Sequence, residues 1–172
     1  MASVYYVDAY NVLHKSKRLR PLASRDLETA REALIDKVAL FCTQTGKRVC
    51  VVFDGQSKQL AEKQAHYRGV PSLTVLFSPG HTSADTEIER RVYLERDRLD
   101  VVVVSNDQGL RDLCRGMGSL VMEADYFLAE IEDTRSEVME TLQRTQSHRA
   151  ASIEECLDSG TLARLKALRD KL

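Results

Sequence analysis

The sequence predicts an α/β fold, a three-layer sandwich with a central parallel sheet. Three observations carry that expectation. Apolar, β-branched runs alternate with helical patterns along the chain. The runs Val49–Phe53 and Val101–Val104 are apolar at every position, as strands covered on both faces must be. The 172 residues suit one domain with a sizeable core.

Each element follows from its own pattern. Val4–Val7 reads as a first strand, closed by Asp8. Leu27, Ala30, Leu34, Val38 and Phe41 recur at helical spacing, with Ser24 as the expected N-cap and Gly46 as the stop. Arg48–Phe53 is a second strand, and Leu73–Phe77 a third, followed by a loop with Pro79 and Gly80. A helix from Ala84 to about Arg96 turns Ile88, Val92 and Leu94 inward. Asp100–Val104 is a fourth strand, Gln108 to about Arg115 a helix, and Leu120–Met122 a short strand. A helix from Ala124 to about Thr145 comes next. The polar stretch Gln146–Ser159 reads as a hinge with a helical turn at Ile153–Leu157, and Thr161–Lys171 as a last helix. The expected division is a domain over residues 1–145 and a C-terminal helical extension over 146–172, packing on the domain or extending from it.

Composition narrows the function classes. No apolar run approaches the ~20 residues that cross a bilayer, and the first residues lack the basic and apolar regions of a signal peptide. A cytoplasmic protein is expected. Cys42, Cys50, Cys114 and Cys156 form no C-x-x-C pair and read as reduced thiols, the first three in apolar surroundings. The net charge of −1 gives no global basic field, so a polyanion must be held by local patches. There is no phosphate-binding G-x-x-x-x-G-K-[ST] loop and no dinucleotide fingerprint.

The acids fall where the strands end. Asp8 closes the first strand, Asp54 follows the second, Asp85 opens the helix after the third, and Asp107 follows the fourth. In a parallel sheet these positions share one edge, where open α/β sheets bind ligands. Gathered carboxylates raise one another's pKa unless a cation compensates. Hard ions such as Mg²⁺ or Mn²⁺ take oxygen ligands and share them with substrate phosphates, which points to phosphodiester hydrolysis. Acids after strands also cap helices. Asp85, beside Ser83, is open to that simpler reading on dipole grounds; the residues after Asp8 are a weak helix start and invite it less.

Four short motifs, in order, resemble one family. Val7-Asp8-Ala9-Tyr10-Asn11-Val12 is similar to the opening Asp-Gly-Tyr-Asn of the NYN domains, a branch of the PIN-like nucleases, and in particular of their YacP-type group. Val51-Val52-Phe53-Asp54-Gly55 resembles the second strand and its acid. Ser83-Ala84-Asp85-Thr86-Glu87-Ile88-Glu89 resembles the Thr-Ala-Asp-x-x-Ile-Glu helix start, and Val104-Ser105-Asn106-Asp107 the Thr-Ser-Asp element. The resemblance implies a metal-dependent endoribonuclease that uses Mg²⁺ or Mn²⁺ and acts on RNA, messenger RNA in a ribosome-associated context for the YacP-type group. It implies Asp8, Asp85 and Asp107 as metal-binding acids, Asn11 orienting a ligand or water, and Asp54 and Glu89 as secondary members. Two positions depart from the pattern. Ala9 replaces the usual glycine, so no positive φ is needed there or the turn is altered. Glu123 stands where a small hydroxyl residue commonly begins the next helix.

Further residues have both a functional and a blander reading. Lys15, Lys17, Arg18 and Arg20, with His14, are expected in a loop on the acidic rim, gripping the RNA backbone or simply solvated. Tyr10 either stacks a base or packs under its loop. Lys58, Lys63 and Arg68 border the crevice, Lys47 and Arg48 lie on the opposite edge, and Arg90 and Arg91 are exposed. Ser83 and Ser105 are cap or acid-positioning residues. His81 is a loop histidine near Asp85.

Two other readings stay open. One is a non-catalytic RNA- or ribosome-binding module with a nuclease-like fold; the persistence of the acids favours activity. The other is an Mg²⁺ phosphotransfer enzyme with a nucleophilic aspartate. Such enzymes place a second aspartate two residues later, where this chain has Tyr10.

Overall fold

The computed structural model describes residues 4–55, 61–63 and 69–156. The chain divides into two compact units, Met1–Thr134 and Arg135–Leu172. Within the first, six strands form one sheet: β1 (Val4–Asp8), β2 (Arg48–Phe53), β3 (Ala61–Lys63), β4 (Leu73–Phe77), β5 (Val101–Val104) and β6 (Leu120–Met122). Their order is β3-β4-β2-β1-β5-β6. Five run parallel, and β3 pairs antiparallel with β4 at one edge. The sequence offered no sign of β3, whose three residues are too few to show a period. The expected strands Arg48–Phe53, Leu73–Phe77 and Leu120–Met122 form as read.

The helices are α1 (Ala9–Lys15), α2 (Leu19–Ala23), α3 (Leu27–Thr45), α4 (Ala84–Leu94), α5 (Gln108–Gly116) and α6 (Ala124–Cys156). Alternation along each strand sends side chains to two cores. Tyr5, Val7, Val49, Val51 and Phe53 pack with α1, α2, α3 and the start of α6. Val4, Tyr6, Cys50, Val52 and Val103 pack with α4 and α5. This is the three-layer arrangement that the apolar strands required.

Local chemistry moved several boundaries. Helix α3 begins at Leu27, because Asp26 is its N-cap and accepts from the Thr29 backbone N–H at 3.1 Å. Ser24 instead ends α2 in helical conformation. Gly46 stops α3 with φ 68°, which suits a residue without Cβ. The chain from Ala9 to Ala23, expected as a loop, is two short helices joined at Ser16, whose hydroxyl accepts from the Leu19 N–H at 3.1 Å. Leu94, expected inside, is exposed. Arg91, expected at the surface, is half-buried and pairs with the buried Glu87 at 3.0 Å. The hinge expected from Gln146 does not interrupt α6, which continues helical to Cys156. The last expected helix lies outside the described residues, as do Lys58, Arg68 and the side chain of Lys63. Cys42, Cys50 and Cys114 are buried thiols outside any disulfide among the described residues.

Candidate metal and nuclease site

The strand order places β1 between β2 and β5, and the connections leave its two sides in opposite directions. After β1 the chain enters α1, on the α3 face; after β5 it enters α5, on the other face. The carboxyl ends of β1 and β5 therefore flank a crevice of the kind that forms where strand order reverses. Asp8 ends β1 on one side, and Ser105-Asn106-Asp107 follow β5 on the other.

Asp8 is buried and densely bonded. Its Oδ1 accepts from the Asn11 backbone N–H at 3.1 Å, so it caps α1. Its Oδ2 accepts from the Asn11 side-chain amide and from the Ser105 hydroxyl, the latter at 3.1 Å. Burial pushes the Asp8 carboxyl above the ordinary range; the hydrogen bonds pull it down, and Asp54 adds to the rise. Asp107 also caps a helix, accepting from the Leu110 N–H at 2.8 Å, while its own N–H donates to Ser105 Oγ at 3.1 Å. Asp54 Oδ1 accepts from the Ala84 N–H at 2.6 Å, tying the end of β2 to the first turn of α4.

Asp85 differs. Ser83 caps α4, accepting from the Thr86 N–H at 3.2 Å, and no hydrogen bond reaches the Asp85 carboxylate among the described residues. Its pKa is pushed up to about 6, first by burial and then by the charges of Asp8, Asp107 and Asp54. The acid most open to a capping role is thus the one without it, and the other three each receive a backbone N–H. All four carboxylates share one electrostatic field.

The remaining expected residues divide. Asn11 is drawn into the same cluster, with both ends of its amide engaged: it donates to Asp8, and its Oδ1 accepts from the Asn106 N–H at 3.3 Å. Glu89, one turn beyond Asp85, is exposed; both acids act on the buried Cys114, whose thiol rises to about 11, chiefly by burial. Tyr10 is half-buried, edge-on to Phe53 at 6.0 Å, with its hydroxyl bonded to Arg31. Lys15, Lys17, Arg18 and Arg20 are exposed, but they lie at or beyond the C-terminal end of α1, whose length separates Lys15 from Asp8 by about 10 Å. Arg18 lies 3.8 Å from Glu132. Lys47 is held by Tyr5 and Glu130, away from the crevice. His81 is exposed.

Asn106 was missed as a contributor. Its Oδ1 accepts from the Ala124 N–H at 2.9 Å, satisfying the first N–H of α6 from the end of β5. Glu123 instead binds Arg111 at 3.1 Å. Ala9 opens α1 as a helical residue, fully buried, so no positive φ is needed.

These features meet a close match among known proteins. The profile of the YacP-like NYN domain matches residues 5–170. The chain belongs to the YacP-like NYN domain family. The YacP protein of Bacillus subtilis (strain 168), itself named as uncharacterized, is 29% identical over 150 residues, 86% of each chain. The crystal structure of Rae1 (YacP) from Bacillus subtilis superposes with a TM-score of 0.70 at 26% identity, covering 97% of this chain and 94% of that one. A crystal structure of a mutant of that protein gives 0.70 at 27% identity, over 84% and 83%. The YacP-like fold is thus the PIN-like nuclease α/β fold that the motifs implied.

The donor set suits a hard divalent cation. It is made of carboxylate oxygens, and Asp85 bears an uncompensated repulsion that a cation would relieve. Among the described residues, no three His, Cys, Asp or Glu side chains lie close enough to enclose an ion by themselves. No helix among the described residues is long and apolar enough to cross a membrane.

Proposed function

We propose that this YacP-like domain is a metal-dependent endoribonuclease, and that Asp8, Asp85 and Asp107 hold Mg²⁺ or Mn²⁺ with Asp54 and Glu89 as outlying members. The observation that carries this reading is the field at Asp85, where three other carboxylates from separate strand ends act on one half-buried acid. When bound, the ion supplies neutralising charge and an activated water for phosphodiester hydrolysis. The chain's own residues do the rest. Asn11 and Ser105 fix the orientation of Asp8, Ser105 aligns Asp107 with it, and Asp54 sets the start of α4 from which Asp85 projects. Hydrolysis forms one P–O bond from water and breaks one to the leaving ribose oxygen, and the departing oxygen takes up a proton. The substrate is RNA, messenger RNA in a ribosome-associated setting, and the compartment is the cytoplasm. Lys15, Lys17, Arg18, Arg20 and Tyr10 remain candidate RNA contacts.

Asp85→Asn is the decisive variant. It removes a charge without removing a hydrogen bond, whereas Asp8→Asn would also disturb the α1 cap. Purified protein is incubated with a structured messenger RNA, with and without ribosomes, in EDTA and in Mn²⁺. Cleavage should need Mn²⁺ and be lost in Asp85→Asn while its far-UV spectrum stays unchanged. Wild-type cleavage rates in EDTA or in the variant would defeat the proposal. The alternative is an RNA- or ribosome-binding module with a nuclease-like fold that does not cut. RNA binding by the wild type without cleavage in either setting would establish it.

A further inference from the structure

Arg31 stands on the opposite side of the strand tips from α4 and α5. Its guanidinium lies over three rings, 5.6 Å from the centroid of Tyr10, 5.7 Å from Phe53 and 5.9 Å from Phe77. Phe53 and Phe77 are the final residues of β2 and β4, paired in register and stacked at 5.4 Å. Phe53 immediately precedes Asp54, and Tyr10 lies two residues after Asp8. The cation is therefore fixed by the neighbours of two rim acids, at the same edge of the sheet.

Its hydrogen bonding is incomplete. A guanidinium has five N–H donors. One, on Nη1, goes to Glu28 at 3.1 Å, and one, on Nη2, goes to the Tyr10 hydroxyl. Nε is buried and has no acceptor among the described residues. Glu28 is 66% exposed, so water competes for this pair and holds it weakly. A side chain needed only to fill space would be served better by an aliphatic residue, because an unsatisfied buried donor is costly. Tyr10 and Phe77 are half-buried and keep part of their surface beside the fixed charge. Aromatic surface next to a backbone-tracking cation is the combination that single strands use.

We infer that Arg31 contacts a phosphate of a single-stranded RNA that crosses the tips of β2 and β4 on its way to the acids. The inference rests on the nuclease reading for the destination of that strand, but its test does not require cleavage. The affinity of full-length protein for a short fluorescein-labelled oligouridylate is measured by anisotropy in EDTA over a series of KCl concentrations, for wild type, Arg31→Gln, Arg31→Lys and Glu28→Gln. Arg31→Gln should weaken binding about tenfold at low salt and reduce the slope of log K against log[KCl] by about 0.7, the value for one single-strand phosphate. Arg31→Lys should keep the slope, and Glu28→Gln should tighten binding by releasing the guanidinium. An unchanged slope in folded Arg31→Gln overturns the inference. If Arg31→Gln does not fold, unchanged affinity in Glu28→Gln overturns it instead. Loss of the slope increment alongside a wild type that binds but never cuts would uphold the Arg31 contact and sink the nuclease reading alone.

Discussion

The Ser105 hydroxyl donates to Asp8 Oδ2 at 3.1 Å, so the residue that follows β5 holds the residue that ends β1. Ser105 Oγ in turn accepts from the Asp107 N–H at 3.1 Å. One fully buried hydroxyl thereby sets the relation between two acids that lie 99 positions apart in the chain, 107 − 8.

Ser105→Ala should leave the fold intact but cost about 1–3 kcal/mol in urea unfolding, because a buried carboxylate and a backbone N–H each lose a partner. RNA cleavage should fall about 10–100-fold, the usual penalty for removing a group that orients a metal ligand. Ser105→Thr should restore most of it. Full cleavage by the alanine variant would reduce Ser105 to a structural role.

Asp85 predicts a pH effect in metal-free protein. Its folded pKa of about 6 lies above the ordinary 3.8, so the folded state binds the proton more tightly than the unfolded chain does. Its contribution is therefore fully present below the unfolded value and is lost as pH rises through about 6. The residue is partly solvated, so the loss should be on the order of 1 kcal/mol after screening. In EDTA, Asp85→Asn should be more stable than wild type by that amount at neutral pH, and the two should converge in acid. Saturating Mn²⁺ should reverse the order, since only the wild type gains a full ligand set. Equal stability at every pH would contradict the convergence of the acids.

Gly55 follows Asp54 where the chain leaves β2. A Cβ at Gly55 would meet the Ser78 carbonyl oxygen at 2.1 Å. Gly55→Ala should destabilise the domain by about 1–3 kcal/mol through overpacking against backbone. It should also lower RNA cleavage, because displacing Asp54 loosens its bond to the Ala84 N–H and the start of α4. Guanidinium unfolding and a cleavage assay on the same preparation would separate the two effects.

Phe127 supplies the stability control. It is fully buried, edge-on to Phe41 at 5.8 Å and tilted against Tyr5 at 5.9 Å, fastening the start of α6 to the sheet. Phe127→Ala should cost about 3–5 kcal/mol in thermal or chemical unfolding. The folded fraction should cleave RNA with unchanged Mn²⁺ dependence.

The strands were legible because burial on both faces leaves a local mark, the unbroken apolar run of Val101–Val104 and of Val49–Phe53. Gly46 was legible because left-handed backbone selects glycine. Ser24 was a misleading cap signal, since Asp26 two residues on competes for the same role and reaches the Thr29 N–H. β3 was silent, being three residues long and defined by its pairing with β4.

The sequence by itself determined which carboxylates follow strands, and hence which would lie on one edge once the strands ran parallel. Alternating periods are a property of neighbouring residues, and so are the short motifs around Asp8, Asp54, Asp85 and Asp107. Tertiary structure alone decided which of those acids are bound by backbone N–H groups and which one stands free of them, because hydrogen-bond partners such as Ser105 and Asp8 come from distant segments. It alone put Arg31 against Tyr10, Phe53 and Phe77, since three rings from three elements meet only where the sheet edge brings them together.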